Sequence, residues 1–488
     1  MLHLRVVSCL SLLLGACSDP FNDNSGDAGP DARTPDAVSD TATDTFTPGD
    51  AQVTPGDPET LLLRGAVVTP AQVLASGEVL THQDTILCVA ASCAGEPEAA
   101  GATVIDTGGI IYPGLIDSHN HTQYNYLPQW KHAKMYTNHN QWQAATDYKD
   151  FTSLHHQLEG TLMCEMIKYG EIRSLLAGTT MIQGTPSRKC ADTLIRNADL
   201  SYHGFGTGDT VRTNVIGTSV ISQADATSLL DGFASGKTTA YVIHLAEGID
   251  ETARKEFDAL ESFGLLKPQV VVIHGTALGQ PELTKMKAAG MPLIWSPSSN
   301  LDLYGATNDI VAAWNIGLTV ALAPDWTPSG EPNILDELHV AAGINKDQLG
   351  GLWKPEQLVA MVTTKAADVL HFEKEVGALK KGLHADVLVL AGDAKKPYQA
   401  LISARLPQVR LVVVRGKALY GDPALMQKLE PNAYCESISV CGGPKVICVK
   451  EKETDATNQK LAQSLGEIEN SLGAGYTPGV LPLATNCP

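Results

Sequence analysis

The sequence predicts an α/β protein: a (β/α)8 barrel of the TIM type, carrying a small composite β-sandwich built from both of its flanks. Three observations predict it. From about residue 150 to 370, helical stretches alternate with short apolar strands, the pattern of βα units around a parallel sheet. The region is of the order of 250 residues, the size of one such barrel. On either side, over 59–112 and 372–422, the texture turns to β-rich runs broken by Gly and Pro.

Taken in order, residues 1–16 read as an export signal. In "MLHLRVVSCLSLLLGAC", Arg5 precedes an apolar core from Val6 to Leu14 that is too short to span a bilayer. "LGAC" (Leu14 to Cys17) resembles a bacterial lipobox, in which the thiol is lipidated and becomes the new N-terminus. Ser18, where Asp would favour retention, resembles outer-membrane sorting. An ordinary cleaved signal with an incidental Cys is the alternative. The expectation is an exported protein, lipid-anchored to the outer membrane through Cys17. Residues 17–58 hold two Phe and almost no large aliphatic side chains, so they read as a disordered acidic tether. Between Ser18 and Glu59, nine Asp and one Glu face one Arg, so nearly half of the net charge of −19 is local. The chain has no basic stripe of the kind nucleic-acid binding needs.

Removing Cys9 with the signal and Cys17 by lipidation leaves eight cysteines: Cys88, Cys93, Cys164, Cys190, Cys435, Cys441, Cys448 and Cys487. An even number in an oxidising compartment predicts disulfides of unspecified connectivity. Cys88 and Cys93 bracket "VAAS" and can close a hairpin. The last four crowd into a C-terminal extension, 423–488, where the absence of a C-x-x-C spacing argues against structural zinc. A helix is expected there over 457–471.

Within the barrel region, 113–371, the strands are "GLIDSHNH", "GTTMIQG", "TNVIGTSVI", "TAYVIHLAE", "QVVVIHGTA", "PLIWSPSSN" and "LTVALAPDW", separated by helices such as 160–177 and 251–263 and followed by one over 355–371. Four of them end in a metal-capable or titratable residue. His119 and His121, at i and i+2 on a strand, share a face. "TAYVIHLAEG" ends at His244, with Glu247 three residues on; "QVVVIHG" ends at His274 and "LTVALAPDW" at Asp325. In a barrel the C-terminal strand ends converge on one mouth, where active sites sit. A single histidine after an apolar run is ordinarily a core or surface residue, but four such strands in the order H-x-H, H, H, D point to a metal centre.

The order and surroundings resemble the amidohydrolase superfamily, through "YPGLIDSHNH", "GTTMIQG", "HLAEG", "VVVIHGTAL", "SPSSNLDLYG", "ALAPDWTPSG", "MVTTKAADVL" and "GALKKGLHADVLVL", together spanning about residues 60–420. Glu247 three residues after His244, and "SPSSN" before the Asp, resemble the mononuclear branch that includes guanine deaminase, cytosine deaminase and the triazine hydrolases. The resemblance implies His119, His121 and His244 as metal ligands and Asp325 as a weaker ligand and proton acceptor. It implies His274 facing the attacking water and Glu247 carrying protons to the ring nitrogen and the leaving ammonia. One divalent ion is expected, zinc first, with iron and manganese as alternatives. The binuclear branches need a bridging lysine, and neither Lys189 nor Lys237 is well placed for that.

The function expected is therefore a metal-dependent hydrolase acting on a non-peptide C–N bond of a small molecule, aminohydrolase-type attack on a nitrogen heterocycle. A cyclic or linear amide hydrolase is the first alternative, and a non-catalytic surface binding lipoprotein on a degenerate barrel the second. Trp295, Tyr304, Trp326 and Asn300 fall near the mouth by sequence, with core packing an equal reading for Trp295. The segment after the first barrel strand is expected to cover the site, with His132, His139, His155 and His156 as surface residues. The "PDWTPSG" stretch departs from the deaminases of the branch, so their pocket chemistry does not transfer. Oligomeric state cannot be read.

Overall fold

The strands that carry the site are short, apolar and buried on both faces, as a parallel sheet wrapped in helices requires. In the computed structural model, described over residues 51–186, 190, 194–199, 211–215 (backbone), 221–430, 434–450, 463–484 and 487, eight barrel strands follow in chain order. They are β1 (Leu115–Asp117), β2 (Thr179–Ile182), β3 (Arg196–Asn197), β4 (Val211–Val215), β5 (Ala240–Leu245), β6 (Val270–His274), β7 (Leu293–Trp295) and β8 (Val320–Leu322). β1–β2–β3 and β4–β5–β6–β7–β8 form two parallel sheets. They join across the β8–β1 seam, where Asn120 bridges to Asp325, and the Ser118 hydroxyl and the His121 N–H donate to the carbonyls of Leu322 and Asp325. This is the expected α/β barrel.

A second sheet of ten strands draws on both flanks. Ala102–Pro113, from the N-terminal side, pairs antiparallel with Val387–Leu390 from the C-terminal side. Leu63, Val79, Ile105 and Ile111 share one apolar core with Val389, Leu411 and Val413. Arg196 on β3 reaches out of the barrel, its guanidinium ion-paired with Asp386 and Asp84, which ties barrel to sheet. Burying a guanidinium is costly unless carboxylates meet it, and here two do.

Several expectations need correction. The tether does not extend to 58: Gln52–Thr54 pairs antiparallel with Val104–Asp106, and Asp57–Val68 is a strand of the large sheet. Few large apolar residues suffice for an edge segment whose backbone is recruited by a neighbour. The C-terminal extension is not separate either, because the hairpin Cys435–Val440/Gly443–Cys448 continues the same sheet through Tyr420 and Gly421. The 160–177 helix starts earlier, running Thr146–Leu176, and the 355–371 helix is two pieces, Pro355–Ala360 and Thr364–Leu370. "SPSSN" opens a helix, Pro297–Tyr304, rather than ending a strand, with Pro at its first turn. The last helix is Leu465–Gly475; residues 451–462 lie outside the described part, as do the signal segment, Cys17, the tether up to residue 50, and Lys189.

Among the described residues four disulfides are formed: Cys88–Cys93, Cys164–Cys190, Cys435–Cys448 and Cys441–Cys487. No helix among the described residues is long and apolar enough to cross a membrane.

Candidate metal centre

The strand ends do converge. One ligand atom from each of His119, His121, His244 and Asp325 lies within 4.8 Å of every other. Asp325 Oδ1 is 3.2 Å from His119 Nε2 and 3.4 Å from His121 Nε2, and His121 Nε2 is 3.2 Å from His244 Nε2. A tetrahedral ion with bonds of about 2.0–2.1 Å sets its ligand atoms roughly 3.3–3.4 Å apart, so these separations are the edges of such a coordination shell. The His121–His244 contact alone could be a hydrogen bond between tautomers, but four such atoms from His119, His121, His244 and Asp325 gathered at one point match the ligand shell of an ion. The residues present fit a divalent metal.

Their surroundings hold them in the ligating form. The Gln183 amide donates to Asp199 (3.0 Å), which turns its Oε1 to accept from His119 Nδ1 (3.1 Å) and leaves Nε2 with its lone pair toward the centre. Asp199 is fixed by the N–H groups of Gly184 and Thr185. Gly184 has φ +103° and passes so close to the Asn120 carbonyl that a Cβ would stand 1.6 Å from its oxygen, which only glycine permits. Ser299 donates to Asp325 Oδ2 (2.7 Å). Burial keeps the His119 and His244 imidazoles below their usual pKa, hence neutral. Burial alone would raise the Asp325 carboxyl, but its bonds to His119 and His121 outweigh that and hold it well below the usual carboxylate range.

His274 is the fourth imidazole, its Nε2 4.0 Å from Asp325 Oδ2. Asn300 donates to Thr307 and Asn308, so its oxygen accepts from His274 Nδ1 (2.9 Å). Both His274 (φ +63°) and Asp325 (φ +70°) adopt the left-handed backbone that non-glycine residues seldom accept; such strain concentrates at functional sites. Glu247 is buried and accepts from the Tyr304 hydroxyl (2.7 Å), which in turn accepts from Trp142 Nε1 (2.7 Å). Burial, with Glu247 beside it, holds the Tyr304 phenol well above its usual pKa, so it stays a donor.

These groups open into a cavity of ≈ 120 Å³ walled by Tyr124, Trp142, Tyr148 and Trp326. The segment after β1 supplies three of the four, so it covers the site as expected. Trp295 is a core residue instead, fully buried against Trp353. The surface assignment of the covering histidines holds for His156 but not for two others. His139 is buried and hydrogen-bonded to Glu256, and His155 is buried under Tyr124 and Tyr126. Each is drawn inward by a polar or aromatic partner distant in sequence. His132, half-buried, meets Asp302. Lys237 is exposed ahead of β5, away from the centre. Gln183, Ser299, Tyr124, Trp142 and Tyr148 had no assigned role; only Gln183, at the end of the "GTTMIQG" strand, carried a positional signal.

Fold and site together define a barrel protein built around a three-histidine, one-aspartate metal centre. Residues 230–419 of the chain match the amidohydrolase family. Over 208 residues it is 27% identical to a 5-methylthioadenosine/S-adenosylhomocysteine deaminase of Syntrophobacter fumaroxidans, covering 38% of this chain and 46% of that protein. The chain thus spans about half the length of the first curated relatives it matches. A protein of the same name from Symbiobacterium thermophilum is 26% identical over 417 residues, 75% of this chain and 94% of its own. The fold is also that of an adenosine deaminase from Xanthomonas campestris with bound zinc, at TM-score 0.57 and 17% identity, covering 73% of this chain and 92% of that one.

Proposed function

We propose that the protein is a metal-dependent aminohydrolase that replaces the exocyclic amine of a nitrogen heterocycle by oxygen, with adenine nucleosides the first substrate class to try. The observation that carries this is Glu247: a buried carboxylate in the cavity wall, held by Tyr304, beside a centre already complete in His119, His121, His244 and Asp325. Loss of ammonia needs a proton delivered to nitrogen, and a second carboxylate apart from the metal ligands is placed to deliver it. The names of the curated relatives, deaminases of adenine nucleosides, support the same class.

A divalent metal held by the three imidazoles and Asp325 supplies Lewis acidity toward a water molecule. Zinc is our choice of ion, supported by the zinc in the Xanthomonas relative. Asp325, oriented by Ser299, takes a proton as the water oxygen adds to the ring carbon bearing the amine. His274, with its Nδ1 proton committed to Asn300, presents Nε2 to the oxygen that adds, where charge develops. Glu247 gives its proton to the ring nitrogen as the C–O bond forms, takes the second proton from the added hydroxyl, and gives that to the amine as the C–N bond breaks; the proton held by Asp325 then restores Glu247. Trp326 and Tyr124 provide flat apolar faces suited to a planar ring.

We also propose an exported, lipid-anchored form, supported by the "LGAC" motif and by four disulfides, which persist in oxidising compartments. The test of function is ammonia release by the metal-loaded protein from adenosine, 5-methylthioadenosine, guanine and cytosine, beside a panel of cyclic and linear amides. Turnover confined to the amides would overturn the aminohydrolase reading.

A further inference from the structure

Against the Tyr124 ring, a second set of ligand-type atoms comes together. The Tyr124 ring lies 6.2 Å from that of His121 and 4.0 Å from that of His155. His155, His156 and Glu159 sit in the first half of the Thr146–Leu176 helix, with His155 and Glu159 one turn apart on the same face. We propose that these three residues form a second transition-metal site on this chain, beside the Tyr124 wall of the cavity.

Four features point to a cation. One ligand atom from each residue lies within 4.8 Å of the others. His155 Nε2 is 3.3 Å from Glu159 Oε1 and His156 Nδ1 is 3.7 Å from Glu159 Oε2, close to the edge expected of a four-coordinate shell. His155 is fully buried, yet its Nε2 has no hydrogen-bond partner despite the nearby carboxylate, because the geometry is not that of a hydrogen bond. Its other nitrogen, Nδ1, is engaged by the Tyr126 hydroxyl (3.1 Å), the outer contact that fixes the tautomer and ring of a ligating histidine.

The Nε2 of buried His155 and the Glu159 carboxylate face each other without a hydrogen bond, as two ligands of one ion would. His156 and Glu159 are part-exposed (51% and 34%), which leaves an entry path and room for water as a fourth ligand. Two imidazoles and one carboxylate select zinc, copper(II) or nickel(II) over magnesium or calcium, which prefer all-oxygen shells.

The site is independent of the enzyme's chemistry, and so is its test. The full chain and the His156→Ala/Glu159→Gln variant are equilibrated by dialysis against the same free Zn2+, and bound metal is counted per chain. The wild type should hold about one equivalent more than the variant. With Cu2+ as probe, the wild type should show a second nitrogen-ligated paramagnetic signal that the variant lacks. Equal metal in both proteins, with no second Cu2+ signal, overturns the proposal. Should the double variant fold poorly by circular dichroism, His156→Ala alone, at a largely exposed position, gives the same comparison.

Discussion

Tyr304→Phe isolates how Glu247 is held, because it removes one hydroxyl and leaves every metal ligand in place. That hydroxyl donates to Glu247 at 2.7 Å and accepts from the Trp142 indole at 2.7 Å. A hydrogen bond to a charged acceptor contributes about 1.5–3 kcal/mol, and each 1.4 kcal/mol is about tenfold in rate. If the bond orients the carboxylate for proton delivery, kcat should fall roughly 10–150-fold. Removing the transferable proton itself, by Glu247→Gln, should do more: general acid–base catalysis contributes about 100–10,000-fold. Asp325→Asn should be at least as damaging, since the proposed mechanism makes Asp325 both ligand and proton acceptor. The phenylalanine variant also leaves the buried Trp142 N–H without its acceptor, a cost of about 1–3 kcal/mol that denaturant melts will register. The assay is ammonia release at saturating substrate, with metal counted in every variant. Full metal content and the rate order wild type, Tyr304→Phe, Glu247→Gln are expected. Should Glu247→Gln turn over within a few-fold of the parent while Asp325→Asn is dead, the role given to Glu247 is wrong, and the aminohydrolase reading goes with it.

Gln183→Leu should weaken the central metal about 10–100-fold, as loss of an outer partner of a ligating histidine does; chelator competition measures it, and unchanged affinity would show that Gln183 does not orient His119. A chain beginning at residue 59 should melt below one beginning at 46, because Val53 is buried in the core of the large sheet and a valine's burial is worth about 1.5–3 kcal/mol; equal melting temperatures would return residues 51–58 to the tether. His384, hydrogen-bonded to Asp84, has a raised pKa, so its stabilisation is complete below the unfolded value of about 6.5 and fades as pH rises through the higher folded value. The gap in melting temperature between wild type and His384→Gln should therefore be widest near pH 5–6 and narrow toward pH 8; a gap independent of pH would refute the linkage.

The metal centre was legible because strand periodicity and barrel geometry leave little freedom. An apolar run of five residues that stops at a histidine must place it at a strand end, and in a barrel such ends share one mouth. His119, His121, His244, His274 and Asp325 each follow from that rule, whereas Glu247, in the loop after β5, was singled out through the family resemblance. Element boundaries followed less well where local signals conflict. The stretch "PLIWSPSSN" reads as one strand until the proline is weighed as a first-turn residue, after which Pro297–Tyr304 is an ordinary short helix. Gln52–Thr54 has little apolar content of its own and becomes a strand only because Val104–Asp106 offers it a free edge.

What stayed hidden is the part of the site that no single strand carries. His139 and His155 look alike in sequence, two histidines in a polar segment, and nothing local says that Glu256 will meet one and Tyr126 the other from 117 and 29 residues away. The same holds for the wall of the cavity. Trp142, Tyr304 and Glu247 come from a loop helix, the helix after β7 and the loop after β5, and only the closed barrel makes them a chain of hydrogen bonds. Such side chains can change without disturbing any strand or ligand, so a barrel can keep its metal and alter the molecule it accepts. The "PDWTPSG" stretch, set apart from the deaminases in sequence, places Trp326 in the wall one residue from Asp325. Chemistry in this chain is written at strand ends, and specificity in the segment over them, which is why the reaction class could be argued from sequence and the substrate has to be found by assay.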